Sequence, residues 1–279
     1  MQQQPTAPVG IFDSGVGGLS VLQHVRSTLP YETLLYVADS AFAPYGEKTA
    51  AQITARCLLI AEFFQRHAIK ALVVACNTAT AAAITVLRQR YPDLIIVGIE
   101  PGLKPAALLS KNKRVGVLAT SATLHSEKFK NLQQALLSSG VSFELRAGVG
   151  LVEMIEQDQL HTATTRALLS AHLAPLLAAG IDTLVLGCTH YPFATTLIND
   201  IIASQRYPAL SLVDTGLAVA LQLQRLLQQT GLAATKPPPT APLRAYTSAD
   251  CQAFEQALLR LLKIAAPEVR VAPLNLGMS

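Results

Sequence analysis

The chain has 279 residues, 51% of them hydrophobic and 14% charged, with a net charge of +4. A charged share of about 25% is usual, so much of this chain should be buried, and the composition argues against disorder. With no long run of Lys or Arg, the composition also gives no support to nucleic-acid binding.

The start, MQQQPTAP, lacks a charged n-region and an apolar h-region, which argues against a signal peptide. Short apolar runs then alternate with amphipathic ones. The runs predict strands over Val9–Phe12, Thr33–Val37, Ala71–Ala75, Leu94–Ile99, Arg114–Leu118, Phe143–Ala147, Thr183–Leu186, Ser211–Val213 and Leu243–Tyr246. Helices are expected over Ala50–Arg66, Ala79–Arg90, Leu124–Ser139, Thr162–Ala179, Leu217–Gln229 and Asp250–Leu262. Alternation of this kind predicts an α/β fold with mostly parallel sheets, whose ligands sit beyond the carboxyl ends of the strands. The apolar, uncharged stretch Ala167–Ile181 is broken by Ser170, His172, Pro175 and Gly180, and reads as a helix running into a strand rather than a membrane span. A cytoplasmic location is the default. Residues 235–242, TKPPPTAP, predict a loop.

The first strand runs into Phe12–Leu22, FDSGVGGLSVL, a glycine-rich turn opening a helix. Such a turn offers amides to an anion, but its glycines do not run G-x-G-x-x-G, and Asp13 would repel a pyrophosphate. Asp13 suits an ammonium group or a neighbouring thiol; a turn or helix cap is the plainer use. After the second strand, Pro44-Tyr45-Gly46 makes a turn offering amides and a phenol.

The four cysteines form no C-x-x-C pair, which argues against a zinc or redox motif. Two of them stand in matching places. Ala71–Ala75 ends in Cys76-Asn77-Thr78, and Thr183–Leu186 ends, after Gly187, in Cys188-Thr189-His190. Cys188 follows Cys76 by 112 residues, and VGIFDSG at Val9 is echoed 106 residues later by VGVLATS at Val115. Two echoes at nearly equal offsets predict two similar α/β lobes, 1–98 with 211–279 and 99–210, with both cysteines lining the cleft between them. A thiol at a helix N-terminus or beside a cation is poised near neutral pH. Two such groups on opposite faces of one carbon are what inversion of a stereocentre needs. Each cysteine taken alone also fits an inert core thiol. His190 could tune Cys188 or be structural. Glu153 and Glu156 open a helix in LVEMIEQ, where a solvated helix face is the alternative for each. Cys57 and Cys251 read as structural.

The motifs FDSGVGG, PYGEK, ACNTAT, GVLAT with Thr120 and Thr123, LGCTHYP, VDTG and YTS, in this order and spacing, resemble the glutamate racemases of the cofactor-independent aspartate/glutamate racemase family. The resemblance implies two pseudo-symmetric lobes with the active site between them. It implies Cys76 and Cys188 as acid/bases, acting on D- and L-glutamate respectively, with Asp13 and His190 assisting them and Glu156 as a further acid. Substrate contacts would come from Asp13, Ser14, Pro44, Tyr45, Gly46, Asn77, Thr78, Thr120, Thr123, Thr189 and His190 beside the two cysteines. No pyridoxal phosphate or metal would be needed, and D-glutamate would feed peptidoglycan synthesis. The partner would be the small-molecule substrate, with no nucleic acid and no membrane; a homodimer is compatible. Some members that need a peptidoglycan-precursor activator carry a longer N-terminal extension, whereas eight residues precede Val9 here. Aspartate racemization, a Cys188–His190 hydrolase and an amino-acid-binding module are the rival readings.

Overall fold

A computed structural model describes residues 4–237, 243–265 and 268–276. In chain order the elements are β1 (Val9–Asp13), α1 (Leu19–Thr28), β2 (Leu34–Ala38), α2 (Ala50–Arg66), β3 (Ala71–Val74), α3 (Asn77–Arg90), β4 (Ile95–Gly98) and α4 (Leu103–Leu109). There follow β5 (Arg114–Ala119), α5 (Ser121–His125), α6 (Glu127–Leu137), β6 (Ser142–Ala147), α7 (Leu151–Glu156), α8 (Ala163–Ala178) and β7 (Thr183–Gly187). The chain ends with α9 (Thr195–Ser204), β8 (Ser211–Val213), α10 (Gly216–Gln229), β9 (Leu243–Thr247), α11 (Cys251–Leu262) and β10 (Val269–Pro273).

The chain folds as two compact units, 1–99 with 216–279 and 100–215. The first holds a parallel sheet in the order β10-β9-β2-β1-β3-β4, the second one in the order β6-β5-β7-β8. The four strands β2-β1-β3-β4 of the first sheet therefore repeat the whole order of the second. The registers repeat as well: Val9 pairs with Ala71 in one unit, and Val115 pairs with Thr183 in the other. Even the glycine after that valine has one job twice. A Cβ on Gly10 would sit 2.7 Å from the Phe64 ring, and one on Gly116 2.5 Å from Ile181, so both strands are packed too closely for any side chain.

Strands buried on both faces explain the near-continuous apolar runs. Phe12, Leu35, Ile60, Phe64, Leu72 and Val74 belong to the core of the first unit, and Leu118, Leu169, Leu184, Leu186 and Ile198 to one core of the second. At the lower edge of the first sheet Lys70 is fully buried, 2.5 Å from Glu32, and donates to the carbonyls of Pro5 (2.5 Å) and Leu232 (2.8 Å). Its charge is tolerated there because every donor has a partner.

Three expectations are corrected. The helix predicted over Leu124–Ser139 is two helices, because Ser126 adopts an extended backbone and its Oγ accepts from Phe129 N at 3.2 Å, starting α6 afresh. Return to the first unit does not begin at residue 211: β8 pairs with β7 and finishes the second sheet, and the return follows at Gly216. Finally, α4, α9 and β10 were not predicted. In the Pro-rich stretch, 235–237 lie outside helix and strand; 238–242, and residues 1–3 of the polar start, lie outside the described residues. No helix among the described residues is long and apolar enough to cross a membrane.

Candidate active site

In the first unit, β1 and β3 are neighbours and end together. Asp13 closes β1, fully buried, and its Oδ2 accepts from Gly15 N at 3.1 Å. The turn that follows needs Gly18. A Cβ there would come within 2.5 Å of Asp13 Cβ and 2.7 Å of the Tyr36 hydroxyl, which donates to Gly15 O at 3.0 Å. Cys76, just past β3, is the N-cap of the 14-residue α3. Its Sγ accepts from Ala79 N at 3.4 Å, and its thiol lies 3.6 Å from Ser14 Oγ. The cap bond and the helix N-terminus both favour negative charge on sulfur. Next to it, Asn77 is buried, yet neither its Oδ1 nor its Nδ2 has a partner among the described residues. Unpartnered amides are costly to bury, and one beside a candidate thiol is poised to bind a ligand. Thr78 is buried on the same first turn.

Tyr45, with Pro44 before it and Gly46 after it, opens a short 3₁₀ turn. Its phenol is not free to meet a ligand. It donates to Asp39 Oδ2 at 2.8 Å, and burial, then Asp39, push its pKa well above the usual value. Arg56, from α2, grips the same carboxylate through Nε (2.8 Å) and Nη2 (2.6 Å). Asp39 in turn donates its backbone N–H to Asp13 O at 3.0 Å, which moors the 44–46 segment to the end of β1. The sequence reading missed Asp39 and Arg56. Only an acid two residues past a predicted strand hinted at the first.

In the second unit the matching strands are β5 and β7, whose ends Ala119 and Gly187 pair. Thr120 holds the place of Ser14. It caps α5, accepting from Thr123 N at 3.2 Å and donating to Thr123 Oγ1 at 2.9 Å. Cys188 and Thr189 are buried past β7. Cys188 caps no helix: the 3₁₀ turn Tyr191–Ala194 comes first, and α9 starts only at Thr195. Its company is His190, whose Nδ1 lies 3.6 Å from Sγ, while Nε2 lies 2.6 Å from Glu156 Oε1. Burial works against a charged ring. Hydrogen bonds to Cys188 and Glu156 outweigh it, and hold the His190 pKa well above the usual imidazole range. Glu156 thus reaches His190, whereas Glu153, one turn back on α7, keeps a buried Oε2 with no partner among the described residues. Cys57 is fully buried in α2, where burial raises its pKa, and Cys251 follows the N-cap Asp250.

The family model for Asp/Glu/hydantoin racemases matches residues 18–223. The chain belongs to that family. As an aspartate/glutamate-type racemase it is an isomerase of amino acids. It is 53% identical to a glutamate racemase of Ectopseudomonas mendocina over 93% of this chain and 95% of that one. Among solved structures, this racemase is similar to the glutamate racemase RacE1 of Bacillus anthracis (TM-score 0.85, 29% identity, 98% of each chain). It is similar also to the Escherichia coli glutamate racemase solved with L-glutamate and the activator UDP-MurNAc-Ala (TM-score 0.80, 32% identity, 96% of this chain and 98% of that one).

Proposed function

We propose that this racemase interconverts L- and D-glutamate by a two-base mechanism. One thiolate removes the α-proton, and a thiol on the opposite face of the α-carbon delivers another. Cys76 takes the proton of D-glutamate and Cys188 that of L-glutamate. The observation that carries the reading is the pair of buried thiols at equivalent strand ends, each with its own hydrogen-bond partners. Inversion converts the thiolate–thiol pair into its mirror state, so solvent exchange must reset the two protons before the same direction runs again. Asp13 assists at Cys76. His190, held charged by Glu156, assists at Cys188 by stabilising its thiolate. The unpartnered amide of Asn77, with Ser14, Thr78, Thr120, Thr123, Thr189 and the backbone of 44–46, supplies donors and acceptors for the substrate's polar groups. No cofactor or metal takes part. The D-glutamate serves peptidoglycan synthesis, and hence cell-wall biogenesis and cell shape, from the cytoplasm.

Incubation with D-glutamate in D₂O, without cofactor and with a chelator, tests this. Loss of optical activity with deuterium at the α-carbon supports the reading, and no change in either signal, with and without the cell-wall precursor present, refutes it. A parallel run with D-aspartate decides between the two substrates. A second reading has one specific observation behind it. Cys188, His190 and Glu156 stand in the order nucleophile, base, orienting acid, as in a cysteine hydrolase. It leaves Cys76 without work. An acyl-thioester on Cys188 in mass spectrometry would support it.

A further inference from the structure

Two consecutive carbonyls of the turn before α7 are each held by a buried ring. The Tyr191 hydroxyl donates to Gly148 O at 3.2 Å. His172, buried on α8, has its Nε2 2.9 Å from Val149 O. On the far side of that imidazole, Arg146 Nε donates to Nδ1 at 3.3 Å. A guanidinium has only hydrogens to offer, so Nδ1 is the acceptor and Nε2 carries the hydrogen given to Val149 O. Val149 itself is 68% exposed. A polar ring buried in a helix thus spends both nitrogens on a surface turn and the arginine beside it.

The turn is shaped for this clamp. A Cβ on Gly148 would collide with the Tyr191 hydroxyl, and Gly150 adopts φ +83. The helix that follows has six residues and no side-chain N-cap, too short to hold its own direction. At its far end stands Glu156, 2.6 Å from His190, and His190 precedes Tyr191 in the chain.

We propose that His172, oriented by Arg146, is a positioning residue: by fixing the 148–150 turn it aims α7, and so Glu156, at His190. The proposal rests on the reading of Cys188 as one of two bases. The consequence falls on one proton transfer only. Because the two enantiomers have equal free energy, kcat/KM must fall equally in both directions, and a rate alone cannot tell which thiol is affected. Isotope effects can. When the Cys188 step becomes slower, α-deuterated L-glutamate gives a larger primary isotope effect on kcat/KM, and α-deuterated D-glutamate a smaller one.

The test compares the full-length wild type with His172→Phe, His172→Gln and Arg146→Met. It reads both isotope effects and, by ¹⁵N NMR, the pH at which His190 loses its proton. His172→Phe loses roughly tenfold or more in kcat/KM, the scale of one buried hydrogen bond. Its two isotope effects move apart, and His190 deprotonates at lower pH. His172→Gln, with one donor and one acceptor in reach, restores all three, and Arg146→Met falls between. If His172→Phe does not fold, the same isotope and NMR shifts in Arg146→Met, absent from His172→Gln, carry the test. Unchanged isotope effects and an unchanged His190 titration in every folded variant would overturn the proposal, whatever the rates. A wild type that exchanges no α-hydrogen would instead overturn the two-base reading, and the His190 titration would still decide the clamp.

Discussion

Cys76 and Cys188 occupy the same place in two repeated sheets, one residue or two past the third strand of each, yet their surroundings differ. Cys76 caps a helix of 14 residues and lies 3.6 Å from a serine hydroxyl. Cys188 is followed by a four-residue 3₁₀ turn and has instead an imidazole backed by a carboxylate. A helix N-terminus and a His–Glu pair are two different ways to favour a thiolate. The repeated backbone supplies the position, and local side chains supply the tuning. At Cys76 the backbone dipoles of α3, which hardly depend on pH, work beside Asp13; at Cys188 the support comes from the titrating His190–Glu156 pair.

The comparison breaks most severely if either thiol proves dispensable. Cys76→Ser and Cys188→Ser should each lose inversion by a factor on the order of 10²–10⁴, the usual worth of a general acid or base. Circular dichroism of the amino acid reads this, and wild-type turnover in either variant would end the account.

Next in size is the asymmetry of support. Glu156→Gln removes a charged partner worth about 1.5–3 kcal/mol, a loss of roughly 10- to 150-fold in kcat/KM. Ser14→Ala removes a neutral partner at about 0.5–1.5 kcal/mol, so its loss stays below roughly tenfold. Equal losses would erase the distinction between the two halves.

The pH dependence sharpens it further. The folded His190 pKa lies above its unfolded value near ~6.5. The stability this group contributes is therefore fully present below the unfolded pKa and lost as pH rises through the folded one. Glu156→Gln should move that loss, and the alkaline limb of kcat/KM, to lower pH, as denaturant titrations across pH and rate profiles would read. Ser14→Ala should move neither. Gly150→Ala, outside the thiols' own contacts, forces a Cβ into the left-handed region at a cost of about 1–2 kcal/mol of stability. It should lower the denaturation midpoint and disturb the Cys188 half alone.

Much of this was legible because short apolar strands announce themselves and strand ends are where α/β sheets put chemistry. Cys76 and Cys188 were found as the residues at which two such runs stop, and the 106- and 112-residue echoes correspond to matching strand registers. What escaped depends on contacts distant in sequence. β10, only partly buried at the sheet edge, carries too weak an apolar run to be noticed. The break at Ser126 turns on one hydroxyl choosing a backbone amide. Arg56 meets Asp39 across 17 residues, and His190 meets Glu156 across 34. Nothing local to Leu151–Gln157 says which of Glu153 and Glu156 will reach the imidazole; only the direction of α7 decides.

The division of labour between the thiols is tested most directly by α-hydrogen exchange in D₂O with the two Cys→Ser variants, each offered L- and D-glutamate separately. A variant with one base can remove a proton and return a deuteron only on the face that base serves. The account predicts that Cys188→Ser deuterates D-glutamate and Cys76→Ser deuterates L-glutamate, each with configuration retained. Deuteration of both enantiomers by one variant, or the opposite pairing, would contradict it.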